Sequence, residues 1–367
     1  MKRKYLGIAV LTVASIMVAA CSLSGEANIQ KTVTINEDVQ LDSSLADSNL
    51  AVAHTSTIPV TENADFRSFR GEHIYYTKNG ATNTLNLHTQ AESKLADQEF
   101  FALSENGNRA LSRIDDRMYV LDFATKTEKL IEEGSEEYLY FADDEGKEIF
   151  YVEFRDKFQI HVINVDSSEV ETWDLTNIFK WDNFSLSSIK KGDKGIYVVG
   201  DSIENGYGLY HLNHDRELKT ISNLTDIESM NQYDCIDSTK IIFNDFYKGK
   251  TGVYLLNLES NEVTQLVAGG KSAEGIWTPS YKLSPDKSKI LFGTSVQVGD
   301  EYKNNIYMAE LVDDQLVNTV RIMENVDLGA VISYSGHWSS DSKTAYISTS
   351  KPGSMIINAI EVFTIQE

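Results

Sequence analysis

The sequence predicts an all-β fold built as a ring of small antiparallel sheets, and three observations carry that expectation. Hydrophobic residues make up 41% and aromatic residues 10% of the 367-residue chain, with 18 Tyr and 15 Phe; this is too apolar for disorder and rich in residues that favour strands. No window carries a long, capped helical stripe, whereas short runs such as Glu148-Ile149-Phe150-Tyr151-Val152, Gly195-Ile196-Tyr197-Val198-Val199 and Lys240-Ile241-Ile242-Phe243 recur between turn-rich clusters. The recurrence is periodic. Strands ending in an apolar residue close at Leu87, Phe123, Val165, Leu212, Leu258, Leu311 and Phe363, between 36 and 53 residues apart.

Two families of turns frame each repeat. After the apolar residues come His88-Thr89-Gln90, Ala124-Thr125-Lys126, Asp166-Ser167-Ser168, Asn213-His214-Asp215, Glu259-Ser260-Asn261 and Val312-Asp313-Asp314, each joining a third strand to a fourth. Upstream lie turns joining a first strand to a second: Ser104-Glu105-Asn106-Gly107, Asp143-Asp144-Glu145-Gly146, Lys191-Gly192-Asp193, Asp237-Ser238-Thr239, Ser284-Pro285-Asp286-Lys287 and Ser339-Ser340-Asp341-Ser342. Four short strands per repeat, in sheets that cannot bury both faces alone, predict a β-propeller of four-stranded blades stacked around an axis. Leu283-Ser284-Pro285-Asp286-Lys287-Ser288-Lys289-Ile290-Leu291-Phe292, and more loosely Trp338-Ser339-Ser340-Asp341-Ser342, resemble the repeat of TolB-like (WD-type) propellers. Lys287 and Ser342 stand where that pattern has Gly, and Ser340 replaces Pro. The resemblance implies an architecture over roughly residues 60–367 and brings no catalytic residue with it.

The ends of the chain set the blade number. Seven third strands are visible, and the last, Ile356 to Phe363, is followed only by Thr364 to Glu367, so the final sheet lacks its outer strand. An N-terminal strand that supplies it would remove an exposed edge and close a seven-bladed ring. Thr32-Val33-Thr34-Ile35 alternates with period two and is the first choice. Ser56-Thr57-Ile58-Pro59-Val60 is the second, because Pro59 suits only an edge. The propeller domain is accordingly placed at residues 31–367, and six blades with an irregular tail is the alternative.

Residues 1–20 read as an export signal: Met1-Lys2-Arg3-Lys4, an apolar centre from Tyr5 to Val18, then Ala19-Ala20 before Cys21. The apolar run is too short for a spanning helix, which needs ~20 residues. The segment resembles a bacterial lipoprotein signal. That resemblance implies that Cys21 takes a diacylglyceryl group and becomes the new N-terminus, holding an extracytoplasmic domain to the cell membrane. Residues 21–30 are then the tether, spanning at most ~30 Å. Cys235 is the only other cysteine, so no intramolecular disulfide is expected. Loss of Lys2, Arg3 and Lys4 with the signal takes the formal charge from −22 to −25. So acidic a chain argues against nucleic acid and against direct contact with anionic headgroups. A cationic partner or calcium is the alternative to plain solubility as the reason for that charge.

Chemistry-bearing motifs are sparse. The sequence holds no G-x-S-x-G elbow, no phosphate-binding glycine loop and no calcium loop of D-x-[DN]-x-[DN]-G type, and the closest histidines, His211 and His214, make a weak metal pair. No cofactor is expected, and calcium has no motif to support it. Candidate ligand-binding residues are those at or just before the innermost strands: Trp181 and Asp182, Trp277 and Tyr281, Tyr334 and His337. Aromatic rings there would stack on a flat ligand at the channel mouth; the alternative is that they fill the wedges between blades. Three functions fit: a binding or scaffolding module for a protein, peptide or cell-envelope glycan; a propeller enzyme of metal-dependent lyase, hydrolase or lactonase type; and a structural subunit of an envelope complex.

Overall fold

The computed structural model describes residues 50–366, apart from 61–64, 115–116, 134–137, 154–156, 180–185, 193–194, 216, 221–231, 273–274, 300, 328–331 and 352–356. These residues form seven four-stranded antiparallel sheets, a two-stranded ribbon of Gly270–Ser272 with Gly275–Trp277, and one short helix, Ile332–Ser335. The sheets are the seven blades of a β-propeller. The innermost strands of blades 1 to 7 are Asp65–Arg70, Ala102–Leu103, Tyr138–Phe141, Leu186–Gly192, Gln232–Cys235, Ser280–Leu283 and Gly336–Trp338. No helix among the described residues is long and apolar enough to cross a membrane.

The apolar runs in the sequence are the second strands. Ile149 and Phe150, Ile196 to Val199, Ile241 to Phe243, Ile290 to Phe292 and Ala345 to Ile347 are buried consecutively. Alternation is lost because each such strand lies between two neighbouring blades and is covered on both faces. Apolar clusters fill the wedges between blades 2 and 3, 3 and 4, 4 and 5, 5 and 6, 6 and 7, and 7 and 1. Blades 1 and 2 meet where the Tyr75 hydroxyl donates to the Gly107 carbonyl at 2.9 Å. Gly107 has φ of 74°, and a Cβ there would stand 2.4 Å from that hydroxyl, so only glycine fits.

Both turn families join the strands they were expected to join. In the outer turns Asn86, Asp122, Asn164 and Asn257 each accept the N–H groups two and three residues on, between 2.8 and 3.1 Å. The fourth residue on, Gln90, Lys126, Ser168 or Asn261, takes positive φ to reverse the chain. In the inner turns the hydroxyls of Ser104, Ser284 and Ser339 donate to Asn106, Asp286 and Asp341 at 2.9, 2.6 and 2.6 Å. They also accept the N–H groups of Arg109, Lys289 and Thr344 at 3.0, 2.9 and 2.8 Å. Lys287 and Ser342 keep the left-handed backbone of the glycine they replace, at φ of 60° and 59°. For an L-residue that costs roughly 1–2 kcal/mol.

The ring is closed by the N-terminal side of the chain, as expected, but by a different strand. Thr32 to Ile35 lies outside the described residues; the place beside Ile357–Ile365 belongs to Val52–Pro59, paired from Val52 with Ile365 to Pro59 with Ala359. The second choice was the correct one. Pro59 ends an outermost strand, where a missing N–H breaks no ladder. Gln366 donates to the Ala51 carbonyl at 2.8 Å and extends the closure. Ile58 is buried with Phe69, Ile74 and Tyr76 of blade 1 and with Tyr346 and Ile360 of blade 7. Ile58→Ala should therefore lower unfolding free energy by about 2–5 kcal/mol in urea titration. Thr55→Ala, on the exposed part of the same strand, should cost less than about 1 kcal/mol. Equal, small effects would mean that this strand does not close the ring.

Candidate functional site

An axial cavity of about 800 Å³ is lined from all seven blades, by the innermost strands and the turns that follow them. Its mouth therefore lies on the face of the first-to-second strand turns. Among the described residues five cations (Arg70, Lys190, Lys191, Lys282, Lys287) and four acids (Glu105, Asp143, Asp144, Asp234) line it. The wall is thus balanced in charge, although the chain has 55 acids against 33 Lys and Arg.

Ion pairs hold much of this wall. Glu105, on the inner turn of blade 2, lies 3.7 Å from Lys282 of blade 6 and 3.5 Å from Arg70 of blade 1, so one carboxylate ties non-adjacent blades across the axis. Burial would raise the Glu105 carboxyl, but Lys282, then Arg70, outweigh it and hold it below the ordinary value. Lys190 of blade 4 pairs with Asp234 of blade 5 at 2.6 Å and lies 4.8 Å from the centre of the Tyr233 ring. Lys191 pairs with Glu148 of blade 3. Asp143 accepts N–H groups of its own turn, from Glu145 at 2.8 Å, Lys147 at 3.1 Å and Glu148 at 2.5 Å. Beside it, Asp144 is exposed at the rim; the protein around it, then Glu105 and Asp143, raise its carboxyl.

His337 reaches this cavity as the sequence suggested, but as a neutral group. Its Nε2 lies 2.7 Å from the Gly71 carbonyl and its ring stacks on Phe69 at 5.1 Å between centroids. Burial is the main cause that pushes its pKa down to about 4. Tyr281 and Tyr334 do not line the cavity. Tyr281 is fully buried in the wedge between blades 5 and 6, its hydroxyl donating to the Ile242 carbonyl at 3.0 Å, so it is a packing residue and not a stacking platform. Tyr334 is 74% exposed on the short helix that enters blade 7, at the opposite face from the cavity mouth. Trp277 ends the two-stranded ribbon before blade 6, and Trp181 and Asp182 lie outside the described residues.

The cavity residues that the sequence did not single out (Arg70, Glu105, Asp144, Lys190, Lys282, Lys287) sit late in the innermost strands or on the turns after them. Phe101, just before the innermost strand of blade 2, is the described lining residue that precedes such a strand. Among the described residues no three His, Cys, Asp or Glu are placed to hold a metal ion. His211 packs on Tyr197 at 4.9 Å and His214 near Trp173 of blade 3 at 6.2 Å.

No family model matches the sequence, and no curated protein does. Among solved structures the chain is similar to U3-55K, with a TM-score of 0.51 and 9% identity over 84% of this chain and 98% of that one. It is also similar to the β-propeller domain of Cps50 (Swd1) from Myceliophteria thermophila, at 0.49 and 10% over 85% and 100%. TolB from Acinetobacter baumannii follows at 0.40 and 12% over 83% and 79%. At such identities the likeness is one of fold alone. Fold and cavity together define a seven-bladed β-propeller with a charge-balanced axial site.

The His337 pKa fixes a pH dependence. The folded value, about 4, lies below the unfolded value of about 6.5, so protonation favours unfolding. Its contribution is complete above pH 6.5 and is lost as pH falls from 6.5 toward 4, by about 3 kcal/mol. In urea unfolding at pH 7.5, 6 and 4.5, His337→Gln should flatten that slope relative to the parent. An unchanged slope would mean that His337 is not held neutral.

Proposed function

We propose that this chain is a binding module tethered to a bacterial cell membrane by lipid on Cys21, and that the axial cavity is where it takes its partner. The observation that carries the reading is the cavity itself, lined by every blade. Its size falls within the range of ligand sites, roughly 300–1,000 Å³. Its charges favour a protein or peptide over a neutral glycan.

An enzyme would need free acids or bases, and the cavity does gather Glu105, Asp143, Asp144, Asp234 and His337. Four of these five are engaged: Glu105 and Asp234 with cations, Asp143 with its own turn, His337 with a backbone carbonyl. That engagement favours binding over catalysis.

The closing strand starts at Val52, so 30 residues, 22–51, lie between Cys21 and the ring, and a chain of that length spans at most roughly 100 Å. Val52 pairs with Ile365, whose N–H donates at 3.0 Å to Lys343 on the inner turn of blade 7. The chain therefore joins the ring on the face where the cavity opens, and a partner in the cavity sits on the tether side.

Cys235 lines the cavity, and once Cys21 is acylated it is the only thiol left. Mass spectrometry of the purified protein should find an N-terminus at Cys21 carrying acyl chains. Bound partner from envelope extract should slow maleimide labelling of Cys235 at least about fivefold. An unmodified N-terminus defeats the anchoring half of the proposal. Unchanged labelling with partner still bound defeats the cavity half.

A further inference from the structure

The Arg70–Glu105–Lys282 bridge and the pairs Lys190–Asp234 and Lys191–Glu148 account for most of the charge in and around the cavity. Among the described residues three cavity charges have no ion partner; Asp143 is taken up by three N–H groups of its own turn, which leaves Asp144 and Lys287 on the rim. The Asp144 carboxylate has no hydrogen bond or ion pair among the described residues; only its backbone carbonyl is used, accepting from Asn106 at 3.0 Å. Lys287 gives its ammonium to neutral acceptors, the carbonyls of Cys235 and Ile236 at 2.7 and 3.0 Å.

A carboxylate without a cation and an ammonium without an anion thus stand on blades 3 and 6, on opposite sides of a seven-membered ring. They feel each other's field but are not joined by an ion pair. Their neighbours extend the same polarity, with Glu105 and Asp143 on blades 2 and 3 and Lys282 beside Lys287 on blade 6. Lys287 also occupies a left-handed position, φ of 60°, that glycine would take without strain. An unfavourable backbone residue is retained where its side chain brings charge to a cavity, which is where such strain tends to persist.

We infer that the cavity takes a dipolar ligand, a short peptide with both ends free, its ammonium at Asp144 and its carboxylate at Lys287. This rests on the reading of the cavity as the binding site. Both rim charges are exposed, and a neutral ligand would give neither a counter-charge. A purely anionic one would meet Asp144, Asp143 and Glu105, and a purely cationic one Lys287 and Lys282. A dipolar ligand pairs both rim charges with charge-assisted hydrogen bonds.

Titration calorimetry of the purified full-length protein at low salt tests this with four probes: trialanine, its N-acetyl form, its C-terminal amide and the doubly capped form. Trialanine should bind, and each single cap should weaken binding at least about tenfold. Asp144→Asn should erase the penalty for acetylation alone, and Lys287→Gln the penalty for amidation alone. Should either variant fail to fold by circular dichroism, the parent's affinity for trialanine decides instead: it should fall severalfold from 20 to 300 mM salt, and no fall overturns the inference. Equal binding of free and doubly capped peptide overturns it, as does no binding of any probe at millimolar concentration. In those cases a partner that still shields Cys235 keeps the cavity as the binding site and removes only its assignment to peptide ends.

Discussion

The antiparallel pairing of Val52–Pro59 with Ile357–Ile365 closes the propeller. Each blade is apolar on both faces and can hide neither alone, so burial is complete only when the stack of sheets returns to its start. Blade 7 has three strands from the C-terminal end of the chain and borrows its fourth from the N-terminal side. This one ladder converts a row of sheets into a ring. The joint between blades 7 and 1 then holds through the Ile58 cluster, through His337 on the Gly71 carbonyl, and through the Ser340 hydroxyl on Glu72 at 2.8 Å. Without closure there is no axis, and so no axial cavity.

The ring is also what allows charges far apart in sequence to act together. Glu105 and Lys282 lie 177 positions apart in the chain and 3.7 Å apart across the axis. The outer surface of an acidic chain repels anionic groups, whereas the cavity wall is balanced and polarised from blades 2 and 3 toward blade 6. Selectivity in such a site comes from where charge is placed, not from net charge.

Much of the architecture was legible in the sequence because its physics is local. The turns after Asn86, Asp122, Asn164 and Asn257 carry a short polar side chain that binds its own backbone, and the inner turns repeat a Ser with Asp or Asn two residues on. The doubly covered second strands show as unbroken apolar runs. The closing strand was less legible: Thr32 to Ile35 has the better alternation, but register against Ile357–Ile365 is a long-range property that alternation does not encode. The site was least legible. Tyr281 and His337 share the neighbourhood of the innermost strands, yet one is sealed in a wedge and the other touches the axis. Which end of an innermost strand faces the cavity depends on ring topology. Given the topology, the charged residues late in those strands and on the turns after them are the ones that line the cavity.

Val52–Pro59 is an integral strand of blade 7. Hydrogen exchange of the native protein, read residue by residue, tests it most directly. The account predicts that amides within Val52–Ile58 that bond to Ile357–Ile365 are protected to the same degree as that strand and open together with it. Exchange of residues 52–59 at the rate of an unstructured peptide, with Ile357–Ile365 and the other blades still protected, would contradict it.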